Sequence, residues 1–265
     1  MSDAVSPSAA RPIEAGVALV TGGGQRIGRA ISQALAEDGW AVAVHHLRSA
    51  SQSEEVVAEI AKGGGRAIAI AADLTDATAA TDLIPRVAAK LGPVTCLVNN
   101  ASVFEPDDVL SATQESWRRH IDVNLRAPFF LSQSFAKEMV AGAFGCIINI
   151  IDERVWNLTP HFASYTMSKS GLWTLTQTCA LALAPGIRVN GIGPGPTLPS
   201  PRQSREHFET QAALTPLGRG TTPGEIVSAV RFILSSPAMT GQMIALDGGR
   251  HLKWRRHPDD ADLEE

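Results

Sequence analysis

The sequence predicts a single-domain α/β fold, a doubly wound parallel sheet with helices on both faces. Three observations predict it. Short β-branched runs alternate with amphipathic stretches along the chain. A glycine cluster separates the first run from the first helical stretch. Neither a repeat nor a mid-chain linker interrupts the alternation. The 265 residues therefore read as one domain over 17–254, with a disordered leader at 1–16 and a flexible charged tail at 255–265.

The elements follow in order. Val17–Thr21 is a short strand, broken by Gly22-Gly23-Gly24 and followed by a helix over Ile27–Asp38 that Gly39 ends. Trp40–His45 is a second strand, Ser51–Lys62 a helix, Ala67–Ala71 a third strand ending at Asp73, and Thr78–Leu91 a helix. Val94–Asn99 is a fourth strand, and a long helical stretch runs from Thr113 to Val140. Cys146–Ile151, Arg188–Ile192 and Met243–Leu246 complete the strands, with helices over Ser164–Ala184 and Glu225–Ser235. Nearly unbroken apolar strands such as CIINII are those of a sheet buried on both faces.

Composition excludes several function classes. A net charge of −4 without a basic block gives no footprint for nucleic acid. No apolar run approaches the roughly 20 residues of a membrane span. Residues 1–16 lack the basic start and apolar centre of a signal peptide. Cys96, Cys146 and Cys179 sit in apolar stretches without metal-ligand spacing, so no metal site is expected. They read as reduced core residues of a cytoplasmic protein, with a catalytic thiol as the alternative.

A glycine-rich turn between a strand and a helix is a phosphate site, because helix N-terminal N–H groups point outward and missing β-carbons admit a pyrophosphate. Here the turn is Thr21-Gly22-Gly23-Gly24-Gln25-Arg26-Ile27-Gly28. The end of the second strand separates NAD from NADP, since an acidic residue there binds a ribose 2′-hydroxyl and repels a phosphate. This chain has His45, His46, Leu47, Arg48 and Ser49 instead. Arg48 can pair with a 2′-phosphate and Ser49 can add a hydrogen bond, which points to NADPH; the competing reading of Arg48 is a solvated surface charge. Asp73 is placed either to touch an adenine edge or to cap the following helix.

Tyr165 and Lys169 lie four residues apart on one face of a helix. An ammonium beside a phenol favours the phenolate and lowers the phenol pKa, so Tyr165 is expected to deliver a proton near neutral pH. Asn99-Asn100-Ala101 closes the fourth strand.

With these motifs together, the chain resembles a short-chain dehydrogenase/reductase from about Val17 to Trp254, and so a Rossmann fold is expected. The matching segments are Thr21–Gly28, Asn99 to Ser102, Asn124, Tyr165 with Lys169, and Pro194-Gly195. The resemblance implies that Asn124 holds a helix open and supports a proton relay through Lys169. It implies cofactor contacts at Gly22, Arg26, Ile27, His46, Arg48, Ser49, Asp73, Leu74, Asn100, Ala101, Ser102, Lys169, Pro194 and Gly195. It also implies a homotetramer.

Two departures from the general pattern narrow the reading. Arg26 replaces the middle glycine of the turn, and Asp152 stands thirteen residues before the tyrosine, where serine is usual. A carboxylate cannot donate to a carbonyl unless protonated, and it repels a developing oxyanion. It suits a substrate with N–H donors or a ring nitrogen that takes up a proton. Both departures, with the His/Arg/Ser cluster and Asn-Asn-Ala-Ser, are similar to the pteridine reductase branch. In that branch an aromatic two residues beyond the serine stacks on the pterin, which here is Phe104; a plain core or loop aromatic is the alternative.

The implied substrate is a pterin or folate-type ring, contacted by Phe104, Arg26, Ser102, Asp152 and Tyr165. Tyr165, Lys169, Asp152 and Asn124 form the expected catalytic set. The alternatives are a general carbonyl or 3-oxoacyl reductase and a non-enzymatic NADPH sensor. The segment Leu198–Leu217, with a helical part around Arg202–Ala213, is expected to cover the site as a lid.

Overall fold

The computed structural model describes residues 13–252. Seven parallel strands form one sheet in the order β3-β2-β1-β4-β5-β6-β7. They are β1 (Val17–Val20), β2 (Ala41–His46), β3 (Ala67–Ala71), β4 (Val94–Asn99), β5 (Gly145–Ile150), β6 (Ile187–Pro194) and β7 (Met243–Leu246). The helices are α1 (Arg26–Glu37), α2 (Ala50–Lys62), α3 (Ala77–Leu91), α4 (Gln114–Ile121), α5 (Ala127–Glu138), α6 (Ala163–Leu183), α7 (Arg205–Ala213) and α8 (Pro223–Ser235).

Alternation along each strand divides the core in two. Ala18 and Val20 of β1, with Val42, Val44, Cys96, Val98 and Ile148, pack against α1, α2 and α8. Val17 and Leu19, with Ala43, Leu97, Ile147 and Val189, pack beneath α3 and α5 on the other face. Two-sided burial is why these strands read as continuous apolar runs. Cys96 and Cys146 are register neighbours inside this core and remain free thiols. Burial pushes the Cys146 thiol up to about 11, so it is no nucleophile near neutral pH, and the catalytic-thiol alternative has no support there.

Three expectations change. Residues 13–16 are not a disordered leader: Ile13 donates to the Leu234 carbonyl at 3.3 Å and packs on the core. Residues 1–12, and the expected tail at 255–265, lie outside the described residues. The stretch Thr113–Val140 is not one regular helix. Thr113 and Ser116 form a capping box at its start, and Asp122–Arg126 form a π-helical turn between α4 and α5. The helix of the expected lid starts at Arg205 rather than Arg202, because the Ser204 hydroxyl accepts from the His207 N–H and caps it.

The sheet order reverses between β1 and β4, and the crevice outside the carboxyl ends of these strands is where such sheets bind ligands. Thr21 links the two strand ends. Its hydroxyl donates to the Val98 carbonyl and accepts from the Asn100 and Ala101 N–H groups.

Candidate active site

A cavity of about 720 Å³ runs along this crevice, from the glycine turn and the end of β2 to β5, α6 and the 198–211 segment. At its first end, Gly22 has a φ of +62°, and an added β-carbon there would lie 3.2 Å from the Ala101 backbone. A β-carbon at Gly28 would lie 2.1 Å from the Gly22 carbonyl. The turn is fixed from both sides. Asn100 donates its side-chain amide to the Thr21 and Gly22 carbonyls. The Gly22 N–H donates to His45 Nδ1 at 3.1 Å, so the ring proton sits on Nε2, facing the Ala72 carbonyl at 3.1 Å.

Sequence reading named His45 only as part of a cluster, but the structure makes it an anchor of the turn. Burial pulls its pKa down to about 4. The folded value lies below the unfolded one of roughly 6.5, so the unfolded chain takes the proton first. Its contribution is complete above that pH and is lost as pH falls toward about 4. Glu153, buried and pushed up to about 7, acts in the opposite direction, so the comparison needs a variant. Between pH 6.5 and 4 the stability gap between wild type and His45→Gln, measured by denaturant titration, is expected to shrink by about 3 kcal/mol. A gap independent of pH refutes the neutral, buried assignment.

His46, Leu47, Arg48 and Ser49 line the cavity at the end of β2. His46 Nδ1 is buried without a hydrogen-bond partner, a donor-acceptor position that a polar ligand can satisfy. Asp73 and Leu74, just beyond the neighbouring strand β3, line the cavity too. Asp73 does not cap α3. Its carboxylate accepts from the Thr75 N–H and hydroxyl, while Asp76 accepts from Thr78 and Ala79 as the cap. A glycine cradle, a basic strand end and an unpartnered buried nitrogen together fit a phosphorylated dinucleotide.

At the other end, β5 delivers Asp152 and the first turn of α6 delivers Tyr165. The phenol donates to Asp152 Oδ2 at 2.7 Å, and Asp152 Oδ1 accepts the Arg154 N–H at 2.9 Å. Lys169 Nζ donates to the Ile150 carbonyl at 2.8 Å. Burial draws the Lys169 pKa down to about 8, with Asp152 opposing. The geometry runs against the lowered phenol pKa expected from sequence. Burial, and then the charge and hydrogen bond of Asp152, push Tyr165 well above its ordinary value, because a carboxylate bonded to an O–H favours the protonated phenol.

Asn124 sits behind the cavity in the π-helical turn. It exchanges hydrogen bonds with the Val103 backbone and donates to Ser168 Oγ at 3.0 Å. It bonds the residue before Lys169 rather than Lys169 itself. Asn124 lies within the π-helical turn Asp122–Arg126.

Phe104, Ser102, Ala101, Ile27, Pro194 and Gly195 also line the cavity. The Tyr165 ring meets Phe104 edge-on at 4.7 Å. The Ser102 hydroxyl is exposed and makes a 3.4 Å contact to the Val103 carbonyl. Arg26 has a left-handed backbone (φ 52°) and donates its guanidinium to the Leu198 and Pro199 carbonyls. In this structure it therefore tethers the covering segment to the glycine turn. Leu198, Gln203, Phe208 and Gln211 of that segment face the cavity.

Asp107 is absent from the sequence reading. Its backbone carbonyl accepts the Phe162 N–H at 2.6 Å, and its carboxylate accepts the Ser164 N–H at 3.1 Å and the Ser164 hydroxyl. Burial opposes its ionisation, but the Ser164 and Ser116 bonds outweigh burial and hold its carboxyl below the usual range. His120 completes the cluster, accepting the Glu105 N–H at Nε2 and meeting Ser164 Oγ at 2.8 Å. The start of α6 is thus capped from the loop that carries Phe104.

A family model for short chain dehydrogenases matches residues 16–210. The chain belongs to the short-chain dehydrogenase family. A 3-oxoacyl-[acyl-carrier-protein] reductase of Synechocystis sp. is 34% identical over 241 residues, covering 89% of this dehydrogenase and 97% of its own length. An uncharacterized oxidoreductase of Methylorubrum extorquens is 36% identical, over 89% and 98% of the two chains. The crystal structure of FolM alternative dihydrofolate reductase 1 from Brucella canis, complexed with NADP, superposes with a TM-score of 0.90 at 45% identity, covering 94% of this chain and 99% of that one. No described helix of the dehydrogenase is long and apolar enough to cross a membrane. Among the described residues no His, Cys, Asp and Glu group is placed to hold a metal.

Proposed function

We propose that this short-chain dehydrogenase is an NADPH-dependent reductase of a pterin or folate-type ring, acting at a C=N bond. The observation that carries the reading is the Tyr165–Asp152 hydrogen bond at 2.7 Å. A carboxylate thirteen residues before the tyrosine pairs with the proton donor, where a serine would offer an O–H to a carbonyl. The similarity to the Brucella FolM structure in its NADP complex supports both the cofactor and the substrate class.

NADPH supplies the hydride when bound. The chain's own residues bind, orient and move the proton. Arg48, Ser49 and His46 receive the 2′-phosphate end, Asp73 and Leu74 flank the adenine, and the glycine turn with Asn100 and Ala101 receives the pyrophosphate. Pro194 and Gly195 border the nicotinamide position. Tyr165 holds its proton firmly, because burial and Asp152 both oppose the phenolate. As the ring nitrogen gains negative charge it becomes basic enough to take that proton. Asp152 steadies the phenol and hydrogen-bonds the ring N–H groups, and the Lys169 charge limits the cost of the transient phenolate. Phe104 offers a flat face to the ring.

The test is NADPH oxidation with dihydrobiopterin, dihydrofolate and a simple diketone side by side. Turnover on the pterin-type substrates at low concentration is expected. Turnover on the diketone alone would favour a general carbonyl or 3-oxoacyl reductase, as the Synechocystis relative is named. Arg48→Asp is expected to raise the KM for NADPH by about 100-fold and leave that for NADH nearly unchanged, the loss of one charge-assisted phosphate contact plus a repulsion. An unaltered NADPH preference removes Arg48 from the cofactor site.

We further propose a cytoplasmic homotetramer. Exposed Trp117, Phe129, Met167 and Leu181 on α4, α5 and α6 offer apolar surface for contact between copies.

A further inference from the structure

Phe162 precedes α6 with a left-handed backbone, φ 60° and ψ 48°. A bulky residue avoids this region, and such a conformation persists only where the surroundings over-determine it. Here the Phe162 N–H donates to the Asp107 carbonyl, its own carbonyl accepts the Thr166 N–H at 2.8 Å, and His161 bridges Asp108. The ring so placed lies flat on Phe104, with centroids 4.4 Å apart and planes 14° from parallel. The Arg154 guanidinium lies 4.9 Å from the Phe162 centroid and 5.8 Å from that of Phe104. Phe104 lines the cavity and Phe162 does not, so the rings are layered with Phe104 on the inside.

The terminal torsion of a phenylalanine has a broad profile, so an unsupported Phe104 ring would rock on its loop. A flat partner behind it and the Tyr165 ring edge beside it (4.7 Å, 70°) remove that freedom. We propose that Phe162 is a positioning residue: it backs Phe104 and sets its ring plane relative to Tyr165, making the site selective for flat bicyclic rings. The inference rests on the pterin reading of the site and adds a residue to it. Arg154, which also lines the cavity, lies beside both rings at cation–π distance.

The experiment compares wild type with Phe162→Leu, Phe162→Gly and Phe162→Tyr in NADPH oxidation with dihydrobiopterin. The leucine and glycine variants are expected to raise the dihydrobiopterin KM about ten-fold, roughly the affinity of one aromatic stack, with a smaller fall in kcat. The glycine variant relaxes the left-handed backbone, so a KM increase there is not a failure to adopt the turn. Phe162→Tyr keeps the ring and restores the wild-type KM. The KM for NADPH, unchanged across the set, reports an intact fold. If wild type reduces dihydrobiopterin and both the leucine and glycine variants keep its KM, the positioning role is overturned while the pterin reading stands. If wild type leaves dihydrobiopterin unreduced, the pterin reading falls and this inference falls with it.

Discussion

Tyr165→Phe is expected to lower kcat for the pterin-type substrate by about 1,000-fold, within the range of a lost general acid, while NADPH binding followed by fluorescence titration stays near wild type. The variant deletes one oxygen and keeps the ring that meets Phe104 edge-on, so packing survives and only proton delivery is lost. It also leaves Asp152 Oδ2 without its 2.7 Å partner. Turnover within a few-fold of wild type would remove Tyr165 from the chemistry. Burial and Asp152 both favour the protonated phenol, the form that gives a proton in reduction.

Asp152→Ser carries the second large effect. Reduction of the pterin-type substrate is expected to fall about 100-fold in kcat/KM, roughly the worth of a charge-assisted hydrogen bond to a desolvated ring N–H. Serine returns an O–H donor to this position, so diketone reduction is expected to rise. The opposite movement of the two rates identifies a change of specificity, since a damaged site loses both. A pterin rate equal to wild type would show that the carboxylate does not contact the ring. The Arg154 N–H loses its acceptor in this variant, so part of the fall belongs to the 152–155 turn.

The fold was legible because its signals are local. Val17 and Leu19 face one core and Ala18 and Val20 the other, and that two-sided burial is written as an unbroken apolar run. The glycine turn, the end of β2 and the Tyr165/Lys169 pair were readable for the same reason: each is a short motif with a position in the alternation. The missed features are non-local or locally disfavoured. Ser164 reads as its own helix start, and nothing near it in sequence shows that Asp107, 57 residues earlier, supplies the cap. No propensity places a phenylalanine in the left-handed region, so nothing local in the sequence marks Phe162. The phenol pKa was misjudged because spacing brings Lys169 within one turn of Tyr165. The bond from the tyrosine to Asp152 depends on where β5 ends relative to α6.

The capping of α6 by Asp107 bears on how this enzyme can be altered. The carboxylate that completes the helix belongs to the loop that carries Phe104, and it shares Ser164 with His120 of α4. Three segments distant in sequence therefore form one mechanical unit. Exchanging residues 102–108 for a segment without an acid at position 107 would remove the carboxylate that accepts from Ser164, one residue from Tyr165. A transplant that changes substrate range has to carry Ser116, His120 and Ser164 as a matched set.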